Sequence, residues 1–211
     1  MTTPSISEGP RVAIVPPVPA LLPSYLGRID PVTELRSACR TAIAWLLDGC
    51  VSPVVVLADA PDPIARLRGV EVPLGIRVAR GLLDEADYGR ELHHRIAPAP
   101  SDRRLLVLAN GSGCRSEKAP GHLDPRSLAF DERIETALAE GDCAGLACLD
   151  AELGRDLLAV GIEPLRKLGE LRLDVDTADL LYADDPYGVR YWVTTWQCHA
   201  RAEPPTAVNS P

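Results

Sequence analysis

Residues 110–126 read Asn110-Gly111-Ser112-Gly113-Cys114-Arg115-Ser116-Glu117-Lys118-Ala119-Pro120-Gly121-His122-Leu123-Asp124-Pro125-Arg126, directly after the apolar run Leu105-Leu106-Val107-Leu108-Ala109. Asn110 and Ser112 bring side-chain donors, the glycines let backbone N–H groups approach a ligand, and Arg115 and Lys118 bring positive charge. Together these types suit a small anion. A loop this dense in charge after a buried strand stands where an open α/β sheet places its ligands, and it is longer than a connection requires. Asn110, Ser112, Arg115 and Lys118 are therefore the ligand-binding candidates. Cys114 stands beside Arg115 and near Lys118, where a cation could lower a thiol pKa, and with His122 and Asp59 it makes the short set of catalytic candidates. A structural reading competes at several of these positions. Arg126 and Asp131 flank a helix start and can pair to fix the loop, and Asp124 before Pro125 has the form of an N-cap.

Other reactive types are scattered. His93-His94 falls near a predicted helix end, and neighbours on a helix point about 100° apart, so they do not chelate one ion. Cys198-His199 matches no metal signature. Asp184-Asp185 precedes Pro-Tyr-Gly, where carboxylates accept backbone N–H bonds in a turn. Trp192 and Trp196 alternate on one strand and are expected to pack in a core. The six cysteines form no Cys-x-x-Cys pair. They read as free thiols, with Cys39 on a buried helix face.

These residues need elements to hold them, and apolar periodicity supplies the outline. Residues 11–15 read as a short buried strand ended by prolines. Residues 31–47 read as a helix, with Asp30 as N-cap and Pro31 at its first position. Residues 54–57 and 75–79 read as strands, 82–96 as helix, 105–109 as the central strand, and 127–139 as a helix closed by Gly141. Two short helices follow at 146–160 and 164–171. Strands at 180–183 and 188–196 are then joined by a Pro-Gly turn. Strands alternating with helices argue for a three-layer α/β/α fold with a mostly parallel central sheet and a C-terminal antiparallel hairpin. One domain is expected over residues 11–200, with a flexible start at 1–10 and a disordered tail at 201–211.

The order Asn110-Gly-Ser, Lys118-Ala-Pro-Gly, Leu123-Asp-Pro-Arg126 and Phe130-Asp131 resembles the class III extradiol ring-cleavage dioxygenase superfamily, which includes the Memo-like proteins. The opening Ala13-Ile-Val-Pro-Pro-Val-Pro-Ala-Leu-Leu-Pro23 is similar to the segment with which those proteins begin. The stretch from Leu181 to Trp196 is similar to the closing hairpin of a small branch of that superfamily. The resemblance implies an Fe(II) site of two histidines and a glutamate with open positions for catechol and O2. Laid on this chain, the first histidine falls on Pro17. The second falls in the histidine-free stretch around Asp59, and the glutamate near Ala159 or Val160, with Glu163 close by. A proton-transfer histidine falls at Gly113. Proline, glycine, alanine and valine offer no side-chain ligand. The resemblance thus implies a branch without the iron site, no bound metal and no cofactor.

Formal net charge is -8 and the isoelectric point about 5.0. Neither nucleic acid nor an anionic membrane surface is an expected partner. The first ten residues lack a basic segment, and Pro16, Pro17 and Pro19 interrupt the apolar run that follows. Neither a signal peptide nor a membrane span is expected, and the cytoplasm is the expected compartment. Three functions stay open. The favoured one is a non-catalytic or function-shifted member of the superfamily that binds a small anionic or aromatic ligand. The others are an enzyme with rearranged chemistry and an interaction module, with homo-oligomers allowed by a free sheet edge.

Overall fold

The computed structural model describes residues 9–25, 27, 29–49, 52–60, 67, 69, 71–89, 93–95, 98–99 and 103–199. Residues 1–8, the expected tail at 201–211 and Cys50 lie outside the described residues. The strands are β1 (Arg11–Val15), β2 (Val55–Leu57), β3 (His93–Arg95), β4 (Arg104–Leu108), β5 (Val175–Asp184) and β6 (Tyr191–Cys198). The helices are α1 (Thr33–Leu47), α2 (Leu74–Glu85), α3 (Arg126–Glu140), α4 (Cys143–Ala147), α5 (Ala151–Asp156) and α6 (Ile162–Glu170).

The strands form one sheet in the order β3-β2-β4-β1-β6-β5. β1, β2, β3 and β4 run parallel, while β6 is antiparallel to both β1 and β5. The protein is thus α/β, and β2, β4 and β1 are adjacent in its centre, as the apolar runs predict. Alternation along each strand sends side chains to opposite faces. Ala13 and Val15 of β1 join Leu35, Cys39 and Ile43 of α1 and Ile76, Ala79 and Leu83 of α2. Val12 and Ile14 join Phe130, Ile134 and Leu138 of α3, Leu165 and Leu168 of α6, and Trp192 and Trp196 of β6. Both faces of the central strands are therefore dry, which explains their continuous apolar runs. No helix among the described residues is long and apolar enough to cross a membrane.

Several boundaries differ from the sequence reading. Residues 75–79 form the first turns of α2 instead of a strand. Ile76 and Val78 suggest a strand, but burial at Gly75, Ile76, Ala79, Leu82 and Leu83 follows helical spacing and wins. The helix expected over 82–96 stops at Glu85, where Asp87 takes φ 55°. His93 and His94 then lie on the exposed edge strand β3. The helix expected over 146–160 is two, α4 and α5, because the Asp142 and Asp150 side chains each cap a new N-terminus. The helix expected from Pro31 starts at Thr33 with Val32 as its N-cap and no side-chain cap, so Asp30 is not the cap; its Oδ1 accepts the Val32 N–H at 3.0 Å in the turn before the helix. Gly141 closes α3 in the left-handed conformation, φ 67°.

Candidate functional site

The loop after β4 is held from two sides. On one side the Asn110 N–H donates to the Val160 carbonyl at 2.9 Å, and the Asn110 side-chain oxygen accepts from the Val160 N–H at 2.8 Å. Gly113 donates to Leu157 at 2.8 Å. On the other side Gly111 donates to Arg190, and Arg190 donates back to Ser112. The loop is in effect a spacer between the α5–α6 connection and the start of β6. Gly111 has no room for a side chain, since a Cβ there would lie 2.6 Å from both Asp131 Oδ1 and the Trp192 ring.

Asp131 of α3 is the hub beneath this loop and is 1 % exposed. It accepts the Ser112 N–H at 2.7 Å, the Ser112 hydroxyl at 2.6 Å and the Arg115 guanidinium at 2.8 Å. Arg115 also pairs with Asp185 in the β5–β6 turn. Asp131 therefore pairs with Arg115, not with Arg126. Arg126 instead binds Asp124 at 2.8 Å, and Asp124 accepts the Arg126 N–H in the manner of the expected cap. A second pair lies alongside, with Glu135 accepting from Arg190 and from the Trp192 indole at 2.9 Å. Burial raises the Glu135 carboxyl, but the Trp192 and Arg190 donors outweigh it and hold it below the ordinary glutamate value. These groups border a depression of about 240 Å³, where Arg115 pairs with Asp131 and Arg190 with Glu135.

The four ligand-binding candidates are accordingly spread over different tasks. Asn110, Ser112 and Arg115 carry internal hydrogen bonds. Lys118 is exposed, with no hydrogen bond or ion pair among the described residues. His122 is exposed at φ 58°, its Nδ1 3.2 Å from the Glu117 carbonyl. Cys114 is buried, with Sγ 3.4 Å from the Leu157 carbonyl. Burial, Asp124 and Asp131 push its thiol above the ordinary value, and the opposing effect of Arg126 is smaller.

A second cleft of about 240 Å³ opens at the carboxyl end of β2, lined by Asp59, Ala151, Arg155, Ala159, Ile162 and Glu163. Asp59 lies two residues beyond the end of β2, and its Oδ2 accepts the Gly161 N–H at 2.7 Å. Arg155 lies in the last turn of α5 and Glu163 in the first turn of α6, so the Leu157–Gly161 connection sets their spacing. The sequence pointed to Asp59 and to Ala159, but Arg155, Ala151 and Ile162 carried no local signal. The wall expected from residues 110–118 is supplied instead by α5 and α6. Pro17 and Gly113 are buried and do not line this cleft.

Burial raises the Asp59 carboxyl above 3.8, Gly161 offsets part of this, and Glu163 adds to it. The native state then holds this proton more tightly than the unfolded chain. Its contribution favours folding below the unfolded value and is lost as pH rises through the folded one. Asp59→Asn keeps an acceptor for Gly161 and removes the titration. The variant is expected to gain stability over the parent as pH rises from about 4 toward neutrality, measured by urea unfolding at each pH. A parent whose stability relative to the variant rises over that interval would contradict this.

Of the positions on which the resemblance places iron-site groups, Pro17, Gly113, Ala159 and Val160 carry no side-chain donor; Asp59 carries one, with an oxygen engaged by Gly161, and Glu163 lies near the glutamate position in the same cleft. This donor set does not fit an open Fe(II) site. Among the described residues no group of three or more His, Cys, Asp or Glu is placed to hold a metal ion. Neither a scan of the sequence against protein-family models nor a search of curated proteins returns a match.

Proposed function

We propose that the protein is a non-catalytic, small-ligand-binding member of the class III extradiol dioxygenase superfamily, with its site in the cleft between β2, α5 and α6. The observation that carries this reading is the coincidence of Asp59 and Ala159 in one cleft. They are two of the positions on which the resemblance places iron ligands, and they lie at a strand carboxyl end, where α/β sheets bind ligands. Ala151, Ala159 and Ile162 give the cleft an apolar wall suited to a small carbon skeleton. An anion without positive charge meets Asp59 and Glu163, so an apolar or aromatic body is the better match.

Anaerobic Fe(II) loading followed by elemental analysis is expected to leave far less than one iron per chain, and oxygen uptake on protocatechuate to equal the blank. One iron per chain with uptake above blank would overturn the reading. Phenols, amino acids and inorganic phosphate, screened by heteronuclear NMR, should include a probe that shifts the Gly161 and Ile162 amides. Ala159→Trp, which fills the cleft, should abolish that response. Silence across the panel would sink the small-ligand role.

A further inference from the structure

The cleft combines a carboxylate pair, a guanidinium and an apolar wall in a space sized for a small metabolite. Its volume of about 240 Å³ puts it at the small end of ligand clefts. That is room for a small metabolite such as an amino acid. Asp59 Oδ2 is held by Gly161, and Oδ1 has no hydrogen-bond partner among the described residues. Glu163 lines the same cleft and is bound only at the surface, 3.1 Å from Arg166. Arg155 is 74 % exposed and lies 3.7 Å from Glu152. Exposed pairs of this kind are worth about 0–1 kcal/mol, so both side chains are free to exchange their partner for a ligand group.

We propose that this cleft binds a small zwitterion of amino-acid type, its ammonium toward Asp59 and Glu163, its carboxylate toward Arg155, and its side chain against Ala151, Ala159 and Ile162. This rests on the reading of the cleft as the ligand site. Two carboxylates without a cation across from them would suit a simple amine, and Arg155 alone would suit a simple acid. Both together favour a molecule that carries both charges and disfavour either half. A metal ion is the poorer match, since the cleft offers two acidic side chains and a competing arginine. Burial of Asp59 adds a signature: the ammonium recruits the ionised carboxyl, so affinity rises as pH rises through its titration.

The experiment is calorimetric titration of the full chain with glycine, L-alanine, L-valine and L-leucine, against n-butylamine and valerate as single-charge analogues. Valine or leucine is expected to bind at least about tenfold tighter than either analogue, the size of one or two charge-assisted contacts. Asp59→Asn and Glu163→Gln should each weaken amino acids and butylamine alike. Arg155→Ala should weaken amino acids and valerate while leaving butylamine unchanged. NMR shifts on binding should centre on Gly161 and Ile162. Equal binding of analogues and amino acids, or an Arg155→Ala variant that binds leucine as the parent does, would overturn the proposal. A phenol that shifts Gly161 while no amino acid does would sink the zwitterion and leave the ligand site standing. If no probe shifts Gly161, both fail.

Discussion

Asp131→Ala is expected to lower folding stability by about 3–5 kcal/mol, the range for removing one member of a buried ion pair. The carboxylate is 1 % exposed and collects three hydrogen bonds from Ser112 and Arg115. Its removal leaves the buried Ser112 N–H and hydroxyl without acceptors and opens a hole beside Gly111, whose other close neighbour is the Trp192 ring. Arg115 retains Asp185, which softens the loss. Asp131→Asn preserves the shape and one acceptor for the Ser112 N–H, so about 1–2 kcal/mol is expected for it. Urea unfolding followed by tryptophan fluorescence measures both, since Trp192 and Trp196 sit in this core layer. A loss under about 1 kcal/mol for the alanine variant would mean the pair behaves as a surface pair.

Gly161→Ala is expected to cost about 3 kcal/mol or more and to remove ligand binding. Gly161 takes φ 80°, a left-handed conformation that costs an alanine roughly 1–2 kcal/mol. Beyond that, a Cβ would collide with the Leu108 carbonyl and lie 2.6 Å from Ala109 Cα. Both are backbone atoms at the end of the central strand β4, so neither side can yield cheaply, and overpacking adds about 1–3 kcal/mol. Shifting residue 161 would also draw its N–H from Asp59 and move Ile162 and Glu163, which form one side of the cleft. Gly49→Ala is the control, with φ 61° and nothing within 4 Å of a Cβ. It should cost only the conformational part, about 1 kcal/mol, and leave binding intact. Equal losses at the two sites would show that packing against β4 is not what fixes Gly161.

Local signals carried part of this architecture. The dry runs in β1, β2 and β4 mark buried strands because both sheet faces are covered, and Gly141 marks the end of α3 because its left-handed conformation closes the helix and satisfies an orphan backbone group. The same logic explains the errors. α2 begins with Ile76 and Val78, whose branched side chains favour strands locally, yet the helical face they complete packs on the sheet. The break between α4 and α5 depends on Asp150, an ordinary residue in composition that acts only once its side chain folds back on Glu152 and Leu153.

By itself the sequence determined which segments must be buried, where chain reversals fall, and that Pro17, Gly113 and Ala159 bring no donor to a metal. Those are properties of residue type and short-range spacing. The tertiary structure decided which charges meet. Arg115 is 16 residues from Asp131 and 70 from Asp185, and it takes both because the loop after β4 is pinned between residues 157–161 and 188–190. That choice withdraws the loop's arginine from any ligand. It leaves Asp59 to share the cleft at the end of β2 with Arg155 and Glu163, which lie far from it along the chain. Coulomb attraction and burial act across space, and nothing in the spacing of the chain encodes that distance until the sheet brings its strand ends together.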